Sequence, residues 1–150
     1  MDRAVNRKAF LDMIAFSEGT AHLGDKGYNV IVGGSLFKDY RDHPRKLVAL
    51  PNLGIKSTAA GRYQLLSRYF DAYKKQLKLS DFSPASQDAI AIQQIKECKA
   101  LIDVDEGRFE MAVHKCARIW ASLPGAGYGQ HENDLETLET AYLDAGGFIA

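Results

Sequence analysis

The chain has 150 residues, 46% hydrophobic and 25% charged, a globular balance with enough material for one domain and its core. Lysine plus arginine and aspartate plus glutamate each number 19, so the formal net charge is zero and there is no global pull toward nucleic acid or an anionic surface. No apolar run approaches the ~20 residues of a membrane span, and Met1-Asp-Arg-Ala-Val-Asn-Arg-Lys8 lacks the apolar segment of a secretory signal.

The first predicted element is a short amphipathic helix, Phe10-Leu-Asp-Met-Ile-Ala-Phe-Ser-Glu18, stopped by Gly19. Phe10, Leu11 and Ile14 mark its buried face by their spacing. Residues 19–27 are polar and glycine-punctuated, which reads as a loop. Tyr28-Asn-Val-Ile-Val32, Gly33-Gly34 and Ser35-Leu-Phe37 have the β-branched run and the Gly-Gly centre of a two-residue hairpin. Residues 39–55 contain Pro44, Pro51, Asn52 and Gly54 and read as mostly loop.

Helical periodicity returns near Ala59, with Tyr63, Leu66, Phe70, Tyr73 and Leu77 on one face. Ser83-Pro84 is a hydroxyl cap followed by proline at the first helical position. It opens an apolar helix through Ala85, Ala89, Ile92 and Ile95. A further helix is expected over about residues 106–121, burying Phe109, Val113, Cys116 and Trp120. A glycine-rich loop, residues 123–130, leads to a last helix marked by Leu135, Leu138 and Tyr142 and stopped by Gly146-Gly147. With no repeat and no Pro/Gly-rich linker, residues 1–150 read as a single α+β domain, mainly helical, with a small N-terminal β-hairpin region.

Cys98 and Cys116 fall within helical patterns and are expected to be free buried thiols. His22, His43, His114 and His131 are scattered, and no pair has the spacing of metal ligands, so neither a metal nor a cofactor is expected. Glu97, Glu106, Glu110, Glu132, Glu136 and Glu139 lie on polar faces or near helix starts and read as solvated. Glu18 differs. It follows Leu11 and Phe10 by seven and eight residues, so it projects from the apolar face, where an acid needs a partner, a proton or a ligand cleft. Its neighbours Ser17, Gly19 and Thr20 are small and leave room for a ligand. Two further stretches suit a groove: Ala59-Ala-Gly-Arg-Tyr-Gln64, and Gly125-Ala-Gly-Tyr-Gly-Gln130 with one tyrosine among glycines. Tyr63 is equally accounted for as core. Aromatic faces beside amides suit sugar rings.

Several strings resemble the bacteriophage lambda endolysin family: Ser17-Glu-Gly-Thr20, Val30-Ile-Val-Gly-Gly-Ser-Leu-Phe37, Asp39-Tyr40 and Asp42-His-Pro-Arg-Lys-Leu-Val48. So do Gly61-Arg-Tyr-Gln-Leu-Leu-Ser-Arg68, Asp81-Phe-Ser-Pro84 and Ile119-Trp-Ala-Ser-Leu-Pro-Gly-Ala-Gly-Tyr-Gly-Gln130. The match spans nearly the whole chain. It implies a lysozyme-like fold and lytic transglycosylase cleavage of the peptidoglycan glycan strand, with Glu18 as the catalytic acid. Substrate contacts are then expected at Ser17, Thr20, Tyr40, Arg62, Tyr63, Gln64, Gly127, Tyr128 and Gln130. The resemblance also implies a monomer that collects in the host cytoplasm and reaches the periplasmic wall through a holin pore. The chain departs from the family pattern in a shorter loop between Thr20 and Tyr28, in Ser35 where an acid is expected, around Leu50-Pro51-Asn52, and in the last helix.

A hydrolase is the competing reading. It would pair Glu18 with Asp39 or Asp42 at about 5–5.5 Å for retention or about 6.5–9.5 Å for inversion. A third reading, a non-catalytic glycan-binding module, would use the same groove without turnover.

Overall fold

The computed structural model describes residues 2–129 and 131–150. These form two compact units, one of residues 2–18 with 91–150 and one of residues 19–90.

The first unit is helical. Helix α1 (Arg3–Glu18) is capped by the Asp2 carboxylate, which accepts from the Ala4 amide at 2.9 Å, and it ends where Gly19 turns to φ 77°. Ala9, Phe10, Met13, Ile14 and Ala15 are all at most 1% exposed, so the buried face is wider than the expected Phe10, Leu11 and Ile14 stripe. Helices α4 (Leu101–Asp105) and α6 (Leu135–Asp144) pack against α1. The rings of Phe10, Phe109 and Tyr142 meet pairwise at 4.6–6.5 Å, as aromatic packing favours. Buried Asn6 ties three segments together. Its Nδ2 donates to the Val104 carbonyl at 3.1 Å, and its Oδ1 accepts from the Phe148 amide at 2.9 Å.

The helix expected over about residues 106–121 is shorter at both ends: the chain turns at Gly107 (φ 76°), and α5 spans Phe109–Cys116, leaving Trp120 buried beyond its end. A side chain at Gly107 would run into the Phe148 carbonyl at 2.8 Å, so only glycine fits where the C-terminus docks. Buried Asp103 secures the break, accepting from Arg108 at 2.8 Å and Lys115 at 2.6 Å.

In the second unit the Gly33-Gly34 reversal is present, with both residues at positive φ. It is closed by Ile31 N–H to Ser35 O at 2.7 Å and Phe37 N–H to Asn29 O at 2.9 Å. The ladder is limited to a single Val30–Leu36 bridge, and the segment's other edge bonds to Ala59 and Gly61. The regular two-stranded sheet lies elsewhere, in the stretch expected to be mostly loop. Strand β1 (Val48–Leu50) pairs antiparallel with β2 (Ile55–Ser57), with Ala49 opposite Lys56. Pro51 and Gly54 are its turn: a 3₁₀ segment, Pro51–Leu53, closed by Gly54 at φ 64°.

Helix α2 (Ser67–Gln76) starts later than the periodicity from Ala59 suggests. Residues 59–66 form a tight turn bridged between Ala60 and Leu65, with positive φ at Gly61 and Gln64, which no α-helix accommodates. Buried His43 lies with its ring 4.9 Å from that of Phe82 and 5.9 Å from that of Phe70, and Phe37 packs on Phe82. The His43 Nδ1 accepts from the Arg45 amide at 2.9 Å, which leaves Nε2–H to donate to the Leu65 carbonyl at 2.8 Å. Burial holds this ring's pKa below its usual value, so it is a neutral structural histidine. Helix α3 (Pro84–Glu97) begins as expected, with Ser83 Oγ accepting from the Ser86 amide at 3.3 Å.

Candidate active site

Glu18 is the last residue of α1, half-buried, at the point where Gly19 redirects the chain. Ser122 Oγ donates to Glu18 Oε2 at 2.6 Å, so Ser17 Oγ donates in turn to Ser122 Oγ at 2.7 Å. Asn133 Nδ2 donates to Ser17 Oγ at 3.1 Å and to the Ser17 carbonyl at 3.0 Å. The donors run in one direction, Asn133 to Ser17 to Ser122 to Glu18, an arrangement in which each bond polarises the next. The Asn133 amide also donates to the Ser122 carbonyl at 2.8 Å, which closes the base of the loop that joins them.

Every group in this chain except the glutamate is uncharged. Burial pushes the Glu18 carboxyl up to about 7, and the Ser122 hydrogen bond holds it from rising further. Glu18 is therefore divided between acid and carboxylate near neutral pH, a state in which a carboxyl can donate or accept a proton. Removing the hydroxyl gives a signed expectation. Ser122→Ala should raise the Glu18 pKa further and, with Glu18 as the proton donor, move the alkaline limb of the kcat/KM profile to higher pH. A profile that stays in place would separate Ser122 from the titration of Glu18.

The other expected site residues fall in two places. Thr20, Arg62, Tyr63 and Gln64 come together in the second unit. Thr20 Oγ1 donates to the Arg62 carbonyl at 2.6 Å. Arg62 lies over the rings of Tyr28 and Tyr63 and donates through Nε to the Lys26 carbonyl at 2.8 Å. Tyr63 is 5% exposed, and its hydroxyl donates to Asp88 at 2.6 Å. Desolvation, with the Asp88 charge beside it, drives its pKa far above the usual phenol value. Gln64 donates to the carbonyl of Gly61 at 2.9 Å. Tyr40, in the same unit, donates to Asp25 at 2.8 Å and packs on Phe37.

Gly127 and Tyr128 belong to the loop rooted at Ser122 and Asn133. The Gly125 and Gly127 amides each donate to the Glu132 carboxylate at 3.0 Å, which holds that carboxyl below its ordinary range. Tyr128 keeps an exposed ring and donates to the Arg118 carbonyl at 2.7 Å. Gln130 lies outside the described residues. Asp39 and Asp42, the candidate second carboxylates, are each engaged by an arginine, Arg41 and Arg45 respectively, at 2.8–2.9 Å.

Sequence reasoning missed Ser122, Asn133, Gln87 and Asp88. Helix α3 presents the last two to the 61–64 turn. Asp88 accepts from both Tyr28 and Tyr63, and Gln87 Oε1 accepts from the Arg62 amide at 2.9 Å. A side chain on Gly61 would collide with Gln87 and with Phe82. The Gly61 in the string was the one readable trace of this packing.

Comparison with known proteins gives a consistent set of relatives. A family model described as Endolysin matches residues 8–149. The chain is 60% identical over 147 residues to the endolysin of Escherichia phage lambda, covering 95% of this chain and 92% of the relative. It is 52% identical over 157 residues to the endolysin of Escherichia phage P2, at 97% and 95% coverage. Its fold matches that of bacteriophage lambda lysozyme complexed with a chitohexasaccharide, with a TM-score of 0.94, 57% identity, and coverage of 100% of this chain and 98% of the other. A second structure of lysozyme from bacteriophage lambda matches at a TM-score of 0.89 and 56% identity, with the same coverage. The expected lysozyme-like α+β fold is the one observed.

Proposed function

The chain belongs to the endolysin family, and from that premise we propose that it is a lytic transglycosylase of bacterial peptidoglycan, with Glu18 as its only catalytic carboxyl. The scissile bond is the β-1,4 link from N-acetylmuramic acid to N-acetylglucosamine. Protonated Glu18 gives its proton to the glycosidic oxygen as the C1–oxygen bond breaks. The resulting carboxylate accepts the proton of the muramic C6 hydroxyl, and the C6 oxygen bonds to C1. One bond is broken and one formed, the proton returns to Glu18, and no water is consumed. Such proton transfer by a positioned group is worth roughly 10²–10⁴-fold in rate.

The observation that carries this reading is the state of Glu18. Its pKa lies near 7 by burial, and its hydrogen-bond chain contains no second carboxylate. A two-acid hydrolase needs an ionised partner placed to act on C1 or on water, and Asp39 and Asp42, each paired with an arginine at the surface, take no part in the Glu18 hydrogen-bond chain. The lambda lysozyme complex with a chitin hexamer supports a glycan strand as the substrate here too. Tyr40, Gln64, Gly127 and Tyr128 are proposed to orient it, with buried Thr20 and Arg62 supporting the 61–64 turn through the bond between them. Tyr63 then acts from beneath the surface through its bond to Asp88. The enzyme is proposed to work as a monomer, collecting in the host cytoplasm and passing a holin pore to the wall.

Digestion of purified murein tests the chemistry. Transglycosylation predicts 1,6-anhydro-muramic ends, seen in the product masses as one water less than reducing ends. A majority of reducing ends would replace this mechanism with hydrolysis.

A further inference from the structure

Cys98 and Cys116 take no part in the glycan chemistry. Cys98 follows the end of α3 and Cys116 closes α5, and two contacts bracket them. Arg118 Nη2 donates to the Glu97 carbonyl at 3.0 Å, and Lys115 Nζ donates to the Lys99 carbonyl at 3.3 Å. Between these straps the two thiols hydrogen-bond to each other, with the Arg118 guanidinium beside Cys98. Both are unbridged here. Their access differs: Cys98 keeps 7% of its surface and Cys116 none.

We propose that Cys98 and Cys116 are a redox-active pair that closes to a disulfide by exchange with an external disulfide, Cys98 attacking and Cys116 resolving. The assignment follows from geometry and charge. Both thiols are buried, Cys98 the less so, so a reagent meets Cys98 first, and a thiolate there is held by the S–H of Cys116 and the Arg118 charge. The same environment favours ionisation of Cys98 and disfavours that of Cys116.

In the first step the Cys98 thiolate bonds to one sulfur of the reagent and expels the other as a thiolate. In the second, Cys116 loses its proton to the thiolate expelled in the first step or to water and bonds to Cys98 Sγ, expelling the second reagent thiolate. The protein loses two hydrogen atoms and the reagent disulfide is reduced to two thiols. The consequence is a covalent strap between α3 and the end of α5, formed when the protein meets a disulfide-rich compartment. The loop it closes raises resistance to unfolding.

Oxidised glutathione is the probe, applied to the folded chain at neutral pH. After acid quench, intact mass and alkylation of the remaining thiols are read. The wild-type protein should lose two hydrogens, retain no glutathione, resist alkylation at both cysteines and unfold at higher temperature. Cys116→Ser should keep one glutathione on Cys98, and Cys98→Ser should stay unmodified until denatured. Wild-type protein that holds a stable glutathione adduct, or that reacts only after unfolding, overturns the proposal. So does Cys98→Ser reacting at Cys116 as readily as the wild type. Reading the wild-type chain first keeps the result independent of how well either variant folds.

Discussion

Glu18→Gln should lower the rate of murein clearing by roughly 10²–10⁴-fold or more while leaving the fold in place. Glutamine matches the shape of the acid and still accepts the Ser122 hydroxyl. The same variant should change stability with a sign opposite to that of a disrupted site. Folded Glu18 titrates at about 7 against 4.5 in the unfolded chain. Between those values the folded state holds a proton that the unfolded state has released, so stability falls as pH rises through the window. Above pH 7 the wild-type protein carries a buried carboxylate with only hydroxyl support. Glu18→Gln removes that burden and should be more stable than wild type by up to about 3 kcal/mol at pH 8, with the gap closing below pH 4.5. Denaturant unfolding at pH 4, 6 and 8 measures it. A variant that loses stability equally at all three pH values would mean that Glu18 is a structural acid, and full murein activity would remove it from the reaction.

What could be read in the sequence tracks how local each signal is. The stop of α1 at Gly19, the start of α3 at Ser83-Pro84 and the stop of α6 at Gly146 each rest on a cap or a positive-φ glycine within a few residues, and all three hold. The sheet was misplaced because Pro51 and Gly54 read as breakers, when together they are the turn of a hairpin. Conversely, the β-branched residues 28–32 look like a strand but make only isolated bridges, to Leu36 and Ala60. Gly107 was hidden inside a good helical pattern, since its reason is the docked C-terminus more than forty residues away. Glu18 was legible as an acid on an apolar face. Its partners were not, because Ser122 and Asn133 lie more than a hundred residues along the chain and carry no spacing that distinguishes them from surface residues. The family strings brought Ser17, Arg62 and Tyr63 to attention without saying how they are held.

Gln87 shows what that support is worth. It is 4% exposed and serves three backbone groups at once. Its Nε2 donates to the carbonyls of Tyr28 at 3.0 Å and Phe82 at 2.9 Å, and its Oε1 accepts from the Arg62 amide. Gln87→Ala leaves all three groups without this partner, and each unmet buried group costs about 1–3 kcal/mol. Allowing for water entering the vacated space, the loss should be about 3 kcal/mol, seen as a lower urea midpoint with an unchanged slope. Gln87→Glu should fare no better, because it keeps the acceptor for Arg62 but sets a carboxylate against two carbonyls. Gln87 fastens the turn of residues 61–64 to α3, and the Arg62 carbonyl in that turn anchors Thr20, two residues past Glu18. At a temperature where the Gln87→Ala protein is still folded, kcat/KM should therefore also fall, chiefly through KM if the turn orients the glycan. A variant as stable as wild type would mean that the turn is held by Asp88 and the tyrosine hydroxyls alone. Lost stability with unchanged KM would place the turn in the scaffold and outside the glycan site.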